Sequence, residues 1–196
     1  MPSSSSLIEL SLGAFTDRVA GKGPVPASGC VAALQGALGC ALFSMAFEHA
    51  AGEGGSGNSA YVEGRAQELA ILSQRLLELV DLDAKAYESF VEAEGDARDK
   101  AAREALEVPL EVAETALAGM RLAAVGAKDV KEPLWSECTV GLGALEACIR
   151  GGLGLVRTNA PSIDDQAWVE DRLAILQDLE SQMTRLVQEI HSAKPE

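Results

Sequence analysis

The sequence predicts an all-α protein with one domain, folded as a helical bundle with long helices. The length of 196 residues suits one domain and is short for two. Apolar residues make up 47% of the chain and aromatic residues only 4%, so Ala, Leu, Gly and Val must form most of the core. Such side chains favour closely packed helices over sheets, which prefer β-branched and aromatic residues. Residues 1–196 are therefore interpreted as one domain, with residues 1–6 as a flexible N-terminal tail.

The predicted helices follow from apolar periodicity and from the glycines and prolines that separate them. They cover Leu7 to Val19, Cys30 to Phe47, Ser59 to Glu94, Ala97 to Val125, Trp135 to Thr158 and Ser162 to His191. A proline-containing loop covers Gly21 to Gly29, and a glycine-rich loop covers Gly52 to Asn58. Pro109 lies inside the fourth helix, and its missing N–H predicts a kink or break near Val108.

The segment from Cys30 to Phe47 carries no charge and is nearly long enough to span a bilayer. It is rich in Ala and Gly, and small residues four apart, such as Gly36 and Cys40, let another helix approach closely. We therefore expect a buried central helix and no membrane span. The glycine-rich helix from Trp135 to Thr158 needs cover as well. Because one small bundle cannot cover both helices, we predict a symmetric homodimer.

Charge and composition exclude several classes of partner. Thirty acidic against 16 basic residues give a net charge of −14, which disfavours nucleic acid. The four cysteines form no CxxC pair and there are only two histidines, so no metal site is expected. We expect reduced, buried cysteines in a cytoplasmic protein. Residues 1–6 lack the basic and apolar regions of a signal peptide.

Two aspartates on the helix from Ser59 fall on different faces. Apolar side chains advance along it by three or four residues, and they are Leu69, Leu72, Leu76, Val80, Tyr87 and Phe90. Asp83 continues this stripe, whereas Asp81 lies on the opposite, polar stripe and is expected to be solvated. A buried, unpaired carboxylate costs several kcal/mol. Asp83 is therefore either a structural residue that caps or pairs inside the bundle, or a group for proton transfer.

Two further segments have a structural and a functional interpretation. The loop from Gly23 to Cys30 leads into the buried helix, whose free amides and the Ser28 hydroxyl are suited to an anionic ligand. The same loop is also typical of a plain connector. Glu137 shares a narrow stripe with small residues, namely Gly141, Ala144, Cys148 and Gly152. This stripe indicates close helix packing or, alternatively, a ligand slot. Polar residues near the far end of that helix either meet a carboxylate or are solvated: Arg150, Arg157 and Asn159.

The order of these segments resembles one family, the formiminotransferase-cyclodeaminase C-terminal domain, which includes stand-alone methenyltetrahydrofolate cyclohydrolases. The segments that carry the resemblance are the PxP loop, the Ala/Gly helix, Val-Asp-Leu-Asp-Ala-Lys-Ala-Tyr (80–87), Glu-Val-Pro-Leu (107–110), Ser-Glu (136–137), Arg-Thr-Asn (157–159) and Ser-Ile-Asp-Asp (162–165). The resemblance implies an all-α homodimer that acts on one-carbon tetrahydrofolates. It implies no metal or redox cofactor, because the methenyl carbon is already an electrophile.

The resemblance also implies roles for individual residues. Asp83 matches the family's catalytic acid–base. The positions that match substrate-binding motifs are Pro24, Pro26, Gly29, Ser136, Glu137 and Asn159. The pattern departs from the family at Ala27, Ser28 and Cys30, where the family has Gly, Gly and Ser. It also departs at Glu137, which replaces Asp, at Lys131, which replaces Asn, and in residues 52–61, which replace a lysine-rich segment.

Three hypotheses about function follow. The first is a folate one-carbon enzyme, either a cyclohydrolase or a cyclodeaminase. The second is a non-catalytic homologue that keeps the dimer fold and binds a ligand or a partner. The third is an enzyme for a different, less anionic substrate, because a folate carries carboxylates that the missing lysines would have met. Fold alone does not decide among them.

Overall fold

The computed structural model describes residues 6–52 and 59–195 and has no strand in these two ranges. They form a single helical domain whose α-helices are α1 (Leu12–Val19), α2 (Ser28–Gly52), α3 (Ser59–Glu92), α4 (Asp96–Gly126), α5 (Trp135–Asn159) and α6 (Gln166–Ser192). Short 3-10 turns lie between several of them. The predicted all-α bundle is confirmed. The glycine-rich loop predicted after Gly52 falls mainly on residues 53–58, outside the described residues.

The ends of the chain differ from the predicted boundaries. The segment predicted as one helix from Leu7 is a 3-10 turn, Leu7–Glu9, followed by α1. Ser11 separates them, since its side chain accepts a hydrogen bond from a first-turn amide of α1 and fixes a new helix start. At the other end α6 begins at Gln166, later than predicted, because Asp165 is the residue that caps it.

Helix α4 continues through Pro109, so of the predicted kink or break near Val108 the break is wrong. Leu106 and Leu110 on either side of the proline are almost fully buried. Packing of these side chains outweighs the loss of one backbone hydrogen bond, because most helical stability in proteins comes from tertiary contacts.

Helix α2 lies at the centre and packs against α3, α5 and α4. It runs antiparallel to α5, with Gly36 against Cys148 and Gly39 against Leu145. A Cβ at Gly36 would lie 2.6 Å from the Cys148 sulfur, so only glycine permits this approach. The packing interpretation of the small-residue stripe on α5 is confirmed. Gly141 likewise faces this chain's own Phe43, so these glycines serve the fold of one protomer. All four cysteines are buried and unpaired, as predicted.

One face of α2 is not covered, contrary to the expected complete burial. It carries apolar side chains between Val31 and Met45, and Leu38 is 55% exposed. On the adjoining face of α5, Val140 is 64% exposed and Ala147 is exposed. We call this surface the uncovered face, and define it by Val31, Leu34, Leu38, Ala41, Leu42 and Met45 of α2 with Val140, Ala144 and Ala147 of α5.

Two helical stretches are long and apolar enough to cross a membrane by length and composition alone, Ser28–Gly52 and Glu132–Ser162. In the most apolar part of each stretch, the rest of the bundle buries 61% and 44% of the residues, respectively. Core helices of a bundle have the same properties, so this is weak evidence for a membrane span.

Candidate active site

The side chain of Asp83 rests against the N-terminus of α2. Its Oδ2 accepts a hydrogen bond from the Cys30 thiol at 3.3 Å, and the backbone N–H of Cys30 donates to the same carboxyl group. The carboxyl group lies directly over the Cα of Gly29, where any Cβ would overlap with it. Gly29, the glycine of the family's loop motif that this sequence keeps, is therefore the residue against which the carboxyl group packs. The apolar-stripe argument correctly placed Asp83 on the inner side of α3.

The surroundings of Asp83 favour its protonated form. Burial raises the pKa of the Asp83 carboxyl above its usual value of 3.8, and the two hydrogen bonds from Cys30 oppose this only in part. Burial, together with the neighbouring carboxylate, raises the pKa of the Cys30 thiol to about 12. Cys30 therefore stays a neutral donor at neutral pH, and Asp83 is the group of this pair that is able to exchange a proton.

Asp83 opens into a cleft of about 240 Å³. The cleft lies where the loop before α2 meets the helices α3, α4 and α5, and its lining includes Pro24, Ser28, Gly29, Asp83, Tyr87, Pro109, Leu155 and Asn159. Apolar walls with a few convergent polar groups are typical of small-molecule sites. Among the described residues that line the cleft, none is basic. Nor do three His, Cys, Asp or Glu side chains cluster as a metal site anywhere in the described ranges.

Asn159 is the last residue of α5 and enters the cleft from the side opposite Asp83's helix. Its side-chain Nδ2 donates a hydrogen bond of 2.6 Å to the backbone carbonyl of Ala105 on α4. Asp83, Gly29 and Asn159 come from three different helices and meet only through the tertiary fold.

The family model for formiminotransferase-cyclodeaminase matches residues 11–178 of this chain. The chain belongs to this family. Its fold is similar to that of the crystal structure of formiminotetrahydrofolate cyclodeaminase from Thermotoga maritima, with a TM-score of 0.85 and 22% sequence identity. That similarity covers 96% of this chain and 97% of the other. No match to a curated protein is found.

Of the positions that resemble the family's motifs, the structure brings Pro24, Gly29, Asp83 and Asn159 into one cleft. Pro26 is buried behind the loop, after a cis peptide bond from Val25, and does not line the cleft.

Ser136 and Glu137 lie elsewhere in the chain. They begin α5, whereas Asn159 ends it, so about 35 Å of helix separates them from the cleft. The Ser136 hydroxyl donates to the Glu137 carboxylate at 2.5 Å, and this bond lowers the pKa of Glu137. Within one protomer they form no part of the site around Asp83.

The structure corrects the expectation for Asp81 and for the end of the tail. Asp81 is half-buried, and its carboxylate accepts hydrogen bonds from the Ser6 hydroxyl at 2.5 Å and the Leu7 amide at 2.6 Å. Ser6, predicted as part of a flexible tail, is thus anchored. Residues 1–5 lie outside the described residues. Arg150 and Arg157 do not line the cleft; both are exposed, and each pairs with a glutamate of this chain, Arg150 with Glu146 and Arg157 with Glu180.

Sequence reasoning missed two residues of the site. Tyr87 lines the cleft one helical turn after Asp83. Residues i and i+4 of a helix lie side by side, so the spacing from Asp83 was enough to identify Tyr87. Cys30 was interpreted only as a core residue. Its bond to Asp83 spans 53 positions of sequence, and no local pattern reports such a contact.

Proposed function

We propose that this chain is an enzyme of folate one-carbon metabolism, either a formiminotetrahydrofolate cyclodeaminase or a methenyltetrahydrofolate cyclohydrolase. One observation carries the proposal: a carboxyl group with a raised pKa, Asp83, opens into a cleft at the N-terminus of α2. Membership of the family supports the substrate class. Enzymes raise carboxyl pKa values in this way when the group must exchange a proton near neutral pH.

In the cyclodeaminase reaction, the protonated Asp83 donates to the formimino nitrogen as N10 of the folate attacks the formimino carbon. Asp83 then takes the proton that N10 loses and delivers it to the same nitrogen, the C–N bond to that nitrogen breaks, ammonia leaves, and the five-membered methenyl bridge closes. In the cyclohydrolase reaction, ionised Asp83 takes a proton from water as the oxygen attacks the methenyl carbon. Asp83 then returns this proton to the departing folate nitrogen as one bridging C–N bond breaks, the hydroxyl proton passes to solvent, and the formyl product forms. In both reactions the carbon is already electrophilic, so Asp83 is the only acid–base required.

We further propose that the active protein is a homodimer formed through the uncovered face. This face is apolar and free of charge along α2, on a chain of net charge −14, so it is where a second copy meets least repulsion. Complete cover for α2 then comes from the partner. The buried, reduced cysteines favour a cytoplasmic location, and the acidic surface disfavours nucleic acid and membranes as partners.

A dimer of this kind also accounts for Ser136 and Glu137. Because α2 and α5 are antiparallel, the start of α2 lies beside the end of α5. A two-fold axis that lies in the plane of the uncovered face and perpendicular to α2 and α5 exchanges the two ends. It places Ser136 and Glu137 of the partner subunit beside Asp83 of the first, where the family resemblance expects them to contact substrate.

The absence of a basic residue from the described lining favours a second candidate function, a non-catalytic homologue or an enzyme for a less anionic ligand. Near-ultraviolet absorbance of methenyltetrahydrofolate decides between these functions. Purified protein should accelerate its decay, or should produce it together with ammonia from formiminotetrahydrofolate. Asp83→Asn should lower the rate by about 10²–10⁴-fold, and Asp81→Asn should leave it nearly unchanged. No rate above the spontaneous one with either compound would reject the enzyme.

A mixing experiment tests the shared site. Asp83→Asn protein and Ser136→Ala/Glu137→Ala protein are each expected to be inactive. After dissociation and reassociation, half of the dimers are mixed and each holds one intact site, so about a quarter of wild-type activity should return. If both clusters acted within one chain, mixing would restore nothing.

A further inference from the structure

Pro109 leaves a backbone carbonyl of α4 without its usual partner. In an α-helix each carbonyl accepts from the N–H four residues later, and proline has no N–H to donate. The carbonyl that loses its donor here is that of Ala105, and Ala105 is 7% exposed. A buried backbone carbonyl needs a hydrogen bond from another source.

Asn159 supplies that bond from the end of α5, at 2.6 Å. Helices α4 and α5 approach closely here, since a Cβ at Gly152 would lie 2.6 Å from the Pro109 carbonyl oxygen. The carboxamide of asparagine has one donor end and one acceptor end. Because a carbonyl can only accept, the donor end of the carboxamide must face Ala105. This requirement fixes the orientation of the carboxamide.

The acceptor end of the same group is left for the cleft. Asn159 lines the cleft with Asp83, and its Oδ1 receives no hydrogen bond from the residues that the structure describes. We infer that Pro109 is a positioning residue: by freeing the Ala105 carbonyl it turns Asn159 so that Oδ1 accepts from an N–H donor of the ligand. The pterin ring of a folate carries such donors along one edge, so the ligand part of this inference rests on the proposed function.

Binding of 5-formyltetrahydrofolate, measured by calorimetry, tests the polarity of this contact. In Pro109→Ala, the new N–H satisfies Ala105 and releases Asn159, so affinity should fall about threefold to tenfold. In Asn159→Asp, two acceptors face each other, and affinity should fall by more than tenfold. The double variant should recover to within about threefold of wild type, because the carboxylate then offers the ligand only acceptors. Gly64→Ala, which adds a methyl group in open space on α3 about 28 Å along the helix from Asp83, serves as the control.

A double variant as weak as Asn159→Asp would overturn the inference, since it would mean that the ligand presents an acceptor or that orientation is not the role of Pro109. If Pro109→Ala also lowers turnover, the loss should appear in KM more than in kcat, because the contact orients the substrate and takes no part in proton transfer.

A measurement without ligand separates this inference from the proposed function. In NMR spectra of the wild type, one side-chain amide proton of Asn159 should exchange slowly, and Pro109→Ala should abolish that protection. Protection that survives in Pro109→Ala overturns the positioning role. Protection lost as expected, with no variant binding 5-formyltetrahydrofolate, supports the positioning role and rejects the folate ligand.

Discussion

Replacing Gly29 by alanine tests whether the exact position of Asp83 matters for function. The carboxyl group of Asp83 occupies the space that a Cβ at position 29 would need, and all three of its atoms lie closer than 3.0 Å to the ideal Cβ position. The backbone of Gly29 is fixed in the first turn of α2, so the aspartate side chain must move. To reach ordinary van der Waals contact the carboxyl group has to retreat by about 1 Å.

A retreat of that size is large for a catalytic group. A misplacement of about 1 Å in an active site costs about 10²-fold in rate. It also weakens the bonds from the Cys30 thiol and amide that hold the carboxyl group. We therefore expect Gly29→Ala to lose about 10²-fold in turnover of methenyltetrahydrofolate or formiminotetrahydrofolate.

The assay needs a control for the general effect of a methyl group on a helical glycine. Gly64 on α3 has no atom within 4 Å of an added Cβ, so Gly64→Ala should keep full activity and gain about 0.5–1 kcal/mol of stability. Circular dichroism and thermal unfolding should show both variants folded. Full activity in folded Gly29→Ala protein would refute the claim that Asp83 acts from its observed position.

Three further predictions follow from the same structure. Because the folded-state pKa of Asp83 is raised above 3.8, the native state holds a proton that the unfolded state releases, so stability should fall as pH rises through the window above 3.8. Denaturant unfolding at several pH values should show this decrease in stability in the wild type but not in Asp83→Asn. Asp83→Asn should also be at least as stable as the wild type at pH 7. A pH dependence of stability that is unchanged in Asp83→Asn would contradict the titration of a buried Asp83. Asp81→Asn should lose about 1–3 kcal/mol of stability with activity kept, because it weakens charge-assisted bonds to Ser6 and Leu7. Leu38→Glu should yield monomers in sedimentation at micromolar concentration, whereas a wild type that is itself monomeric would reject the dimer.

The sequence predicts those features of the site that depend on local periodicity. Helix α3 brings Asp83 to the inner side because apolar residues recur every three or four positions before and after it. The same reasoning placed Asp81 on the face opposite Asp83 and predicted that it is solvated, but it could not find the partners that half-bury it. Ser6 is 75 positions away and carries no periodic signal. Of the predicted kink or break near Val108, the break is absent for a related reason: the rule for proline is local, while burial of Leu106 and Leu110 depends on the whole bundle.

For Ser136 and Glu137, the family resemblance and the length of the helix lead to different expectations about position. The family resemblance groups these residues with Asp83 and Asn159, yet Ser136 and Asn159 were already predicted to lie at opposite ends of one helix. A rise of 1.5 Å per residue separates the ends of such a helix by about 35 Å, so one chain cannot bring both to one substrate. The proposed dimer reconciles the two statements, because a second chain related by two-fold symmetry reverses the direction of α5 across the site. The uncovered apolar face of α2 is the surface proposed to contact that second chain. A test of the dimer is therefore also a test of which residues form the site.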